Sequence, residues 1–194
     1  MSKIILTKEI AKQFLASPNQ VELQKFTSIE DEAAEHLSKH EGTLNLKGLT
    51  RLSEAAAESL SKHIGGLDLS GLEELSDEVA ESLSKRIYKG FNLNLSGLKG
   101  LSDSAAKLLA NYPGVLHLPY FEKISEIALE ALSKHQYSEH WVGIIKTLSK
   151  ATSGSEIDLT EFEEGYIDGI DEGLAKLLSK HKGDLRIDTD FIIT

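Results

Sequence analysis

The chain has 194 residues, no cysteine, and a formal net charge of -10 from 21 Lys and Arg set against 31 Asp and Glu. That length fits one domain, and the missing cysteines exclude disulfides, thiolate metal ligands and cysteine nucleophiles. The acidic balance argues against a general nucleic-acid binder, because affinity for phosphate backbones comes from Lys and Arg that displace counterions.

Hydrophobic residues at 40% and charged residues at 27% describe an ordinary globular chain. Its apolar runs are only a few residues long, too short for a membrane span. The first apolar stretch is broken by Lys8, Glu9 and Lys12 and lacks the apolar core of a secretory signal. A cytoplasmic protein with no membrane association is expected.

Residues 1–20 have the form of a capping half-repeat without a clear strand. Leu6, Ile10, Ala11 and Phe14 stand 23 residues before Ile29, Ala33, Ala34 and Leu37. From 21 to 135 the chain repeats itself. LDLSGLEELSDEVAESLSKR from Leu67 lies residue for residue over LNLKGLTRLSEAAAESLSKH from Leu44 and LNLSGLKGLSDSAAKLLANY from Leu93. An apolar-polar-apolar element recurs as Val21-Glu22-Leu23, Leu44-Asn45-Leu46, Leu67-Asp68-Leu69, Leu93-Asn94-Leu95 and Leu116-His117-Leu118. The successive offsets are 23, 23, 26 and 23. Such alternation marks half-buried strands, and their regular register predicts one continuous sheet. A second apolar pair follows each strand, as in Leu49 with Leu52 or Leu72 with Leu75.

A helix is predicted after each strand, starting at Ser53, Ser76, Ser102 or Ser125 and followed by acidic residues. The serine accepts a bond from a free amide of the first turn, and the acids oppose the positive end of the helix dipole. Apolar positions at i, i+1 and i+4, such as Val79, Ala80 and Leu83, give one buried stripe. Alanine recurs at the first two positions, where a small side chain lets helix and strand approach closely. Outside, Glu35 with Lys39, Glu58 with Lys62, Glu81 with Lys85 and Glu130 with Lys134 have the favourable i to i+4 order. Units end in Lys-His-x-Gly or a near variant, with glycine where the helix stops.

The register fails after His135. Residues 136–155 read as an irregular helical insertion, and 156–194 as the last repeats and a C-terminal edge. The strands there are Ile157-Asp158-Leu159 and Leu185-Arg186-Ile187. An uncovered final strand is a pairing hazard, so self-association through that edge is one expectation.

These units resemble the leucine-rich-repeat family, specifically bacterial arrays of the form LxLxGLxxLSDEAAExLSKHxG. The likeness runs closely over residues 4–135 and more loosely over 156–187. It departs from the family pattern where Leu49, Leu72 and Leu98 stand in place of the asparagine that commonly follows the strand. The resemblance implies a single α/β domain: a right-handed strand-helix solenoid with a parallel sheet on the concave face, helices on the convex face, and protein or peptide partners. Curvature is expected independently, since strands sit about 4.8 Å apart and packed helices about 8–10 Å.

The polar positions beside the strand leucines are then the candidate partner-binding residues. They are Glu22, Gln24, Asn45, Lys47, Asp68, Ser70, Asn94, Ser96, His117, Asp158 and Arg186, with Pro119 beside them. A merely solvated sheet face is the competing account. Tyr120, Tyr137 and Trp141, near the break, either supply anchors for specificity or fill the irregular core. His40, His63, His135 and His181 recur at one register, but equivalent positions about 10 Å apart cannot share a zinc ion, and other units carry Arg86 and Tyr112 there. The acidic stretch from Glu161 to Glu172 lacks the spacing of a calcium-binding hand. No cofactor, metal or catalytic constellation is expected. The expected function is a non-catalytic scaffold for a protein or peptide. The alternatives are a self-assembling spacer and an acidic inhibitor or immunity protein for a basic partner.

Overall fold

The computed structural model describes residues 4–86, 90–119, 121, 124–132, 135, 157–158 and 185–186. Parallel strands of two residues alternate with short helices, so the chain is α/β. Four strands form the main sheet in the order β3 (Leu44–Asn45), β4 (Leu67–Asp68), β5 (Leu93–Asn94) and β6 (Leu116–His117). Leu44 pairs with Leu67, Leu67 with Leu93, and Leu93 with Leu116, so the sequence offsets are the strand register. Leu44, Leu46, Leu69, Leu93 and Leu95 are wholly buried, while Asn45, Asp68 and Asn94 are half-buried. That is the alternation expected of a sheet with one face in the core.

After β3, β4 and β5 the chain turns at a glycine, Gly48, Gly71 and Gly97. A Cβ on Gly71 would stand 2.0 Å from the carbonyl oxygen of Lys47, and one on Gly97 2.0 Å from that of Ser70. Only a residue without a side chain lets consecutive units come this close. The leucine after that glycine, Leu49, Leu72 or Leu98, is buried at the turn.

The first unit differs from the sequence expectation. Val21-Glu22-Leu23 is not a strand; the segment forms 3-10 turns over Pro18–Gln20 and Leu23–Lys25. Leu23 still enters the core, at 4% exposure. The amides of Lys25 and Phe26 are bonded back to the carbonyls of Glu22 and Leu23, so a segment that would have been an unpaired edge satisfies itself locally. The N-terminal segment, expected to lack a strand, contributes β1 (Ile5–Leu6), which pairs in parallel with β2 (Ser28–Ile29). This second line of pairing sits just before the helices and continues through Thr50 N–H to Thr27 O (3.2 Å) and Lys99 N–H to Glu73 O (2.9 Å).

Among the described residues the helices are α1 (Lys8–Ala16), α2 (Asp31–Leu37), α3 (Glu54–Ser61), α4 (Asp77–Ser84), α5 (Asp103–Leu109) and α6 (Glu126–Leu132). Each contacts the next. The predicted serine caps are present: Ser53, Ser76, Ser102 and Ser125 accept from the amides of Ala56, Val79, Ala105 and Ala128. The serines also donate across units, Ser53 to Asp31, Ser102 to Asp77 (2.5 Å) and Ser125 to Asp103. The hydroxyls of Ser53, Ser102 and Ser125 thereby serve their own helices and the start of the previous ones.

Ala33, Ala34, Ala56, Ala57, Ala105 and Ala106 are fully buried, as the close approach of the layers requires. The ion pairs Glu35–Lys39, Glu58–Lys62 and Glu81–Lys85 are exposed and screened by water, so they add little to stability.

The strands expected near the C-terminus are β7 (Ile157–Asp158) and β8 (Leu185–Arg186), paired in parallel. The insertion at 136–155, Lys134, His181, the acidic loop and the residues after 186 lie outside the described residues. Among the described residues no helix is long and apolar enough to cross a membrane.

Candidate functional site: a polar groove on the sheet

Strand register decides which polar side chains meet. Asn45 lies opposite Asp68, Asp68 opposite Asn94, and Asn94 opposite His117. Three of these also shape the backbone. Asp68 Oδ1 accepts from Ser70 N–H at 3.0 Å, Asn94 Oδ1 from Ser96 N–H at 3.0 Å, and Asn45 Oδ1 from Lys47 N–H at 3.4 Å. The residue between the leucines therefore caps the chain as it leaves the strand. Asn45 Nδ2 also donates to Gln24 Oε1 at 3.0 Å, which carries the polar row onto the first unit.

A groove of about 510 Å³ opens over β4, β5 and β6. Asp68, Asn94, Ser96 and His117, all predicted as contact residues, line it together. Ser70, Lys47, Asn45, Gln24 and Glu22 lie outside it. Glu22 is exposed and pairs with Lys25 at 3.0 Å.

Sequence reasoning missed the row one residue earlier, where Thr43, Gly66 and Asn92 stand side by side and Phe91 adds an aromatic wall. Gly66 lines the groove without a side chain, and Thr43 packs close to it, its Oγ1 2.9 Å from where a Cβ would stand. The signal in the sequence was the doubled glycine of Gly65-Gly66, where the neighbouring units carry Gly42-Thr43 and Phe91-Asn92. Asp158 and Arg186 are partners in the register of β7 and β8. Tyr120, Tyr137 and Trp141 lie outside the described residues.

Beneath the turns that lead into the strands runs a column of buried ring and guanidinium groups. Phe14 meets His40 edge-on with centroids 5.0 Å apart. His40 stacks on His63 at 6.2 Å and 3°, and Tyr112 stacks on His135 at 6.4 Å and 6°. The spacing of about 10 Å expected from helix packing is corrected to 6.2 Å, because these side chains reach from the helix ends into the corner where strand spacing governs.

His63, Arg86 and Tyr112 each bond the preceding unit. His63 Nε2–H donates to Gly42 O at 2.8 Å and Tyr112 O–H to Phe91 O at 2.8 Å. Arg86 Nη2 donates to Gly65 O at 2.5 Å and His63 O at 3.1 Å. Gly65 has a φ of +151°, and a Cβ there would lie 1.7 Å from Gly42 O, so the glycine before the strand makes this corner possible. Burial pulls the imidazoles of His63 and His135 below the usual histidine value and pushes the Tyr112 phenol up. The column is structural. Among the described residues no three or more His, Asp or Glu side chains are placed to hold a metal ion.

Comparison with known proteins finds no matching family model, no matching curated protein and no matching solved structure.

Proposed function

We propose that the chain is a non-catalytic binding scaffold, a leucine-rich-repeat-like right-handed solenoid whose concave sheet face takes a protein or an extended peptide. The observation that carries this is the groove over β4, β5 and β6. Its lining residues vary between units built on one framework: Thr43, Gly66 and Asn92 in one row, Asp68, Asn94 and His117 in the next. Framework leucines and alanines recur because packing demands them; a polar row that changes from unit to unit answers to something outside the fold. The groove's amides, hydroxyls and single carboxylate suit peptide backbone and polar side chains, and a net charge of -10 suits a basic partner.

The test replaces Asn92, Ser96 and His117 together by alanine. These exposed side chains make no hydrogen bond that the fold needs among the described residues, unlike Asp68 and Asn94. The expected outcome is an unchanged circular dichroism spectrum and urea midpoint, with loss of the partner that the wild-type chain captures from native extract. Equal capture by both proteins would refute the concave-face reading.

A further inference from the structure

The chemistry of the occupant follows from the centre of the groove, given that the polar sheet face is the binding face. Asp68 is half-buried, and its Oδ1 is held by the Ser70 amide, which fixes the direction of the carboxylate. Its register neighbours on both sides, Asn45 and Asn94, are neutral. No Lys or Arg pairs with it among the described residues, although Lys25, Lys62, Lys85 and Lys99 all find acidic partners on the same molecule. A preset, half-desolvated carboxylate without an internal counter-charge is a receptor for a cation.

Beside it Gly66 lines the groove between Thr43 and Asn92 without a side chain of its own, and the Thr43 side chain packs against it. Phe91 adds an apolar and aromatic wall, suited to a methylene stem and to a positive group near its ring.

We propose that this part of the groove takes one basic side chain of a bound peptide. The ammonium or guanidinium group sits against Asp68, the stem lies over Gly66, and the flanking peptide backbone meets Asn92, Asn94 and Ser96.

Fluorescence anisotropy of the full chain with three fluorescein-labelled heptapeptide pools tests this, the central residue being Lys or Arg, Gln, or Glu. The basic pool is expected to bind most tightly and the acidic pool least, with binding of the basic pool weakening as salt is raised. Asp68→Asn keeps the oxygen that accepts from Ser70 and removes the charge. It is expected to lower affinity for the basic pool about tenfold, toward that of the Gln pool, as loss of a charged hydrogen bond implies. Gly66→Thr copies the Thr43 of the preceding unit, meets only a movable side-chain end, and is expected to lower binding of the basic pool while leaving the urea midpoint in place.

Equal binding of basic and Gln pools, unaffected by either substitution but lost in the Asn92, Ser96 and His117 triple variant, would overturn the basic-side-chain assignment and leave the concave-face reading standing. Binding of no pool, or binding indifferent to the triple variant, would overturn both.

Discussion

The buried column gives a sharp test of how consecutive units are joined. Tyr112 is 2% exposed, stacks on His135, and donates its hydroxyl proton to Phe91 O at 2.8 Å. Tyr112→Phe keeps the ring and the stack and removes that one donor. Phe91 O lies tight against the next turn, where a Cβ on Gly114 would come within 2.2 Å of it, so water has poor access to the freed carbonyl. A typical hydrogen bond contributes about 0.5–1.5 kcal/mol net, and a buried acceptor left without a partner raises the loss to about 1–3 kcal/mol. At about 2–4 °C per kcal/mol for a chain of this size, the melting temperature falls by several degrees. Urea unfolding followed by far-ultraviolet circular dichroism measures it directly, with a lowered midpoint at an unchanged slope. A midpoint equal to that of the wild type would refute the view that the phenol joins the units by this bond.

Two further outcomes follow from neighbouring features. Ser102→Ala removes both the cap of α5 and the bond to Asp77, so a loss of about 1–2 kcal/mol is expected; combined with Asp77→Ala it should show coupling of at least about 0.5 kcal/mol. Zero coupling would mean that the hydroxyl serves only its own helix. Acid should also weaken the column. His63 faces the His40 ring and Arg86, with its pKa lowered first by burial and further by the Arg86 charge, against the opposing pull of Gly42 O. The unfolded chain therefore binds the proton more readily. Stability is complete above the ordinary imidazole value of about 6.5 and is lost as pH falls below it toward the folded value. Urea midpoints from pH 7.5 down to 5 should fall less steeply for His63→Gln than for the wild type; parallel curves would show that this imidazole is not responsible.

Most of the framework could be read from the residues because each rule acts over a short span. Leucine alternation predicted the strands of the main sheet, the offsets of 23 and 26 predicted their register, and serine followed by acidic residues predicted the caps. The reading failed in the first unit, where Val21-Glu22-Leu23 has the strand pattern and no strand. Pattern alone does not show whether a neighbouring segment is present to pair with it. It failed again with the histidines, whose spacing depends on which layer their side chains reach.

The sequence by itself determined the α/β class, the alternation of core and surface, and the places where helices begin, since propensity, periodicity and capping are local properties. Only the tertiary structure decided that Asp68, Asn94, Ser96 and His117 share one groove while Lys47 and Glu22 do not. It also decided that Asp68 and Asn94 cap the chain beyond their strands, that Thr43 packs against Gly66, and that His63, Arg86 and Tyr112 tie their units to the ones before. Apart from the two caps, which span two residues, the contacts between units join residues 21 to 26 positions apart, and they exist only once parallel pairing has brought equivalent positions side by side.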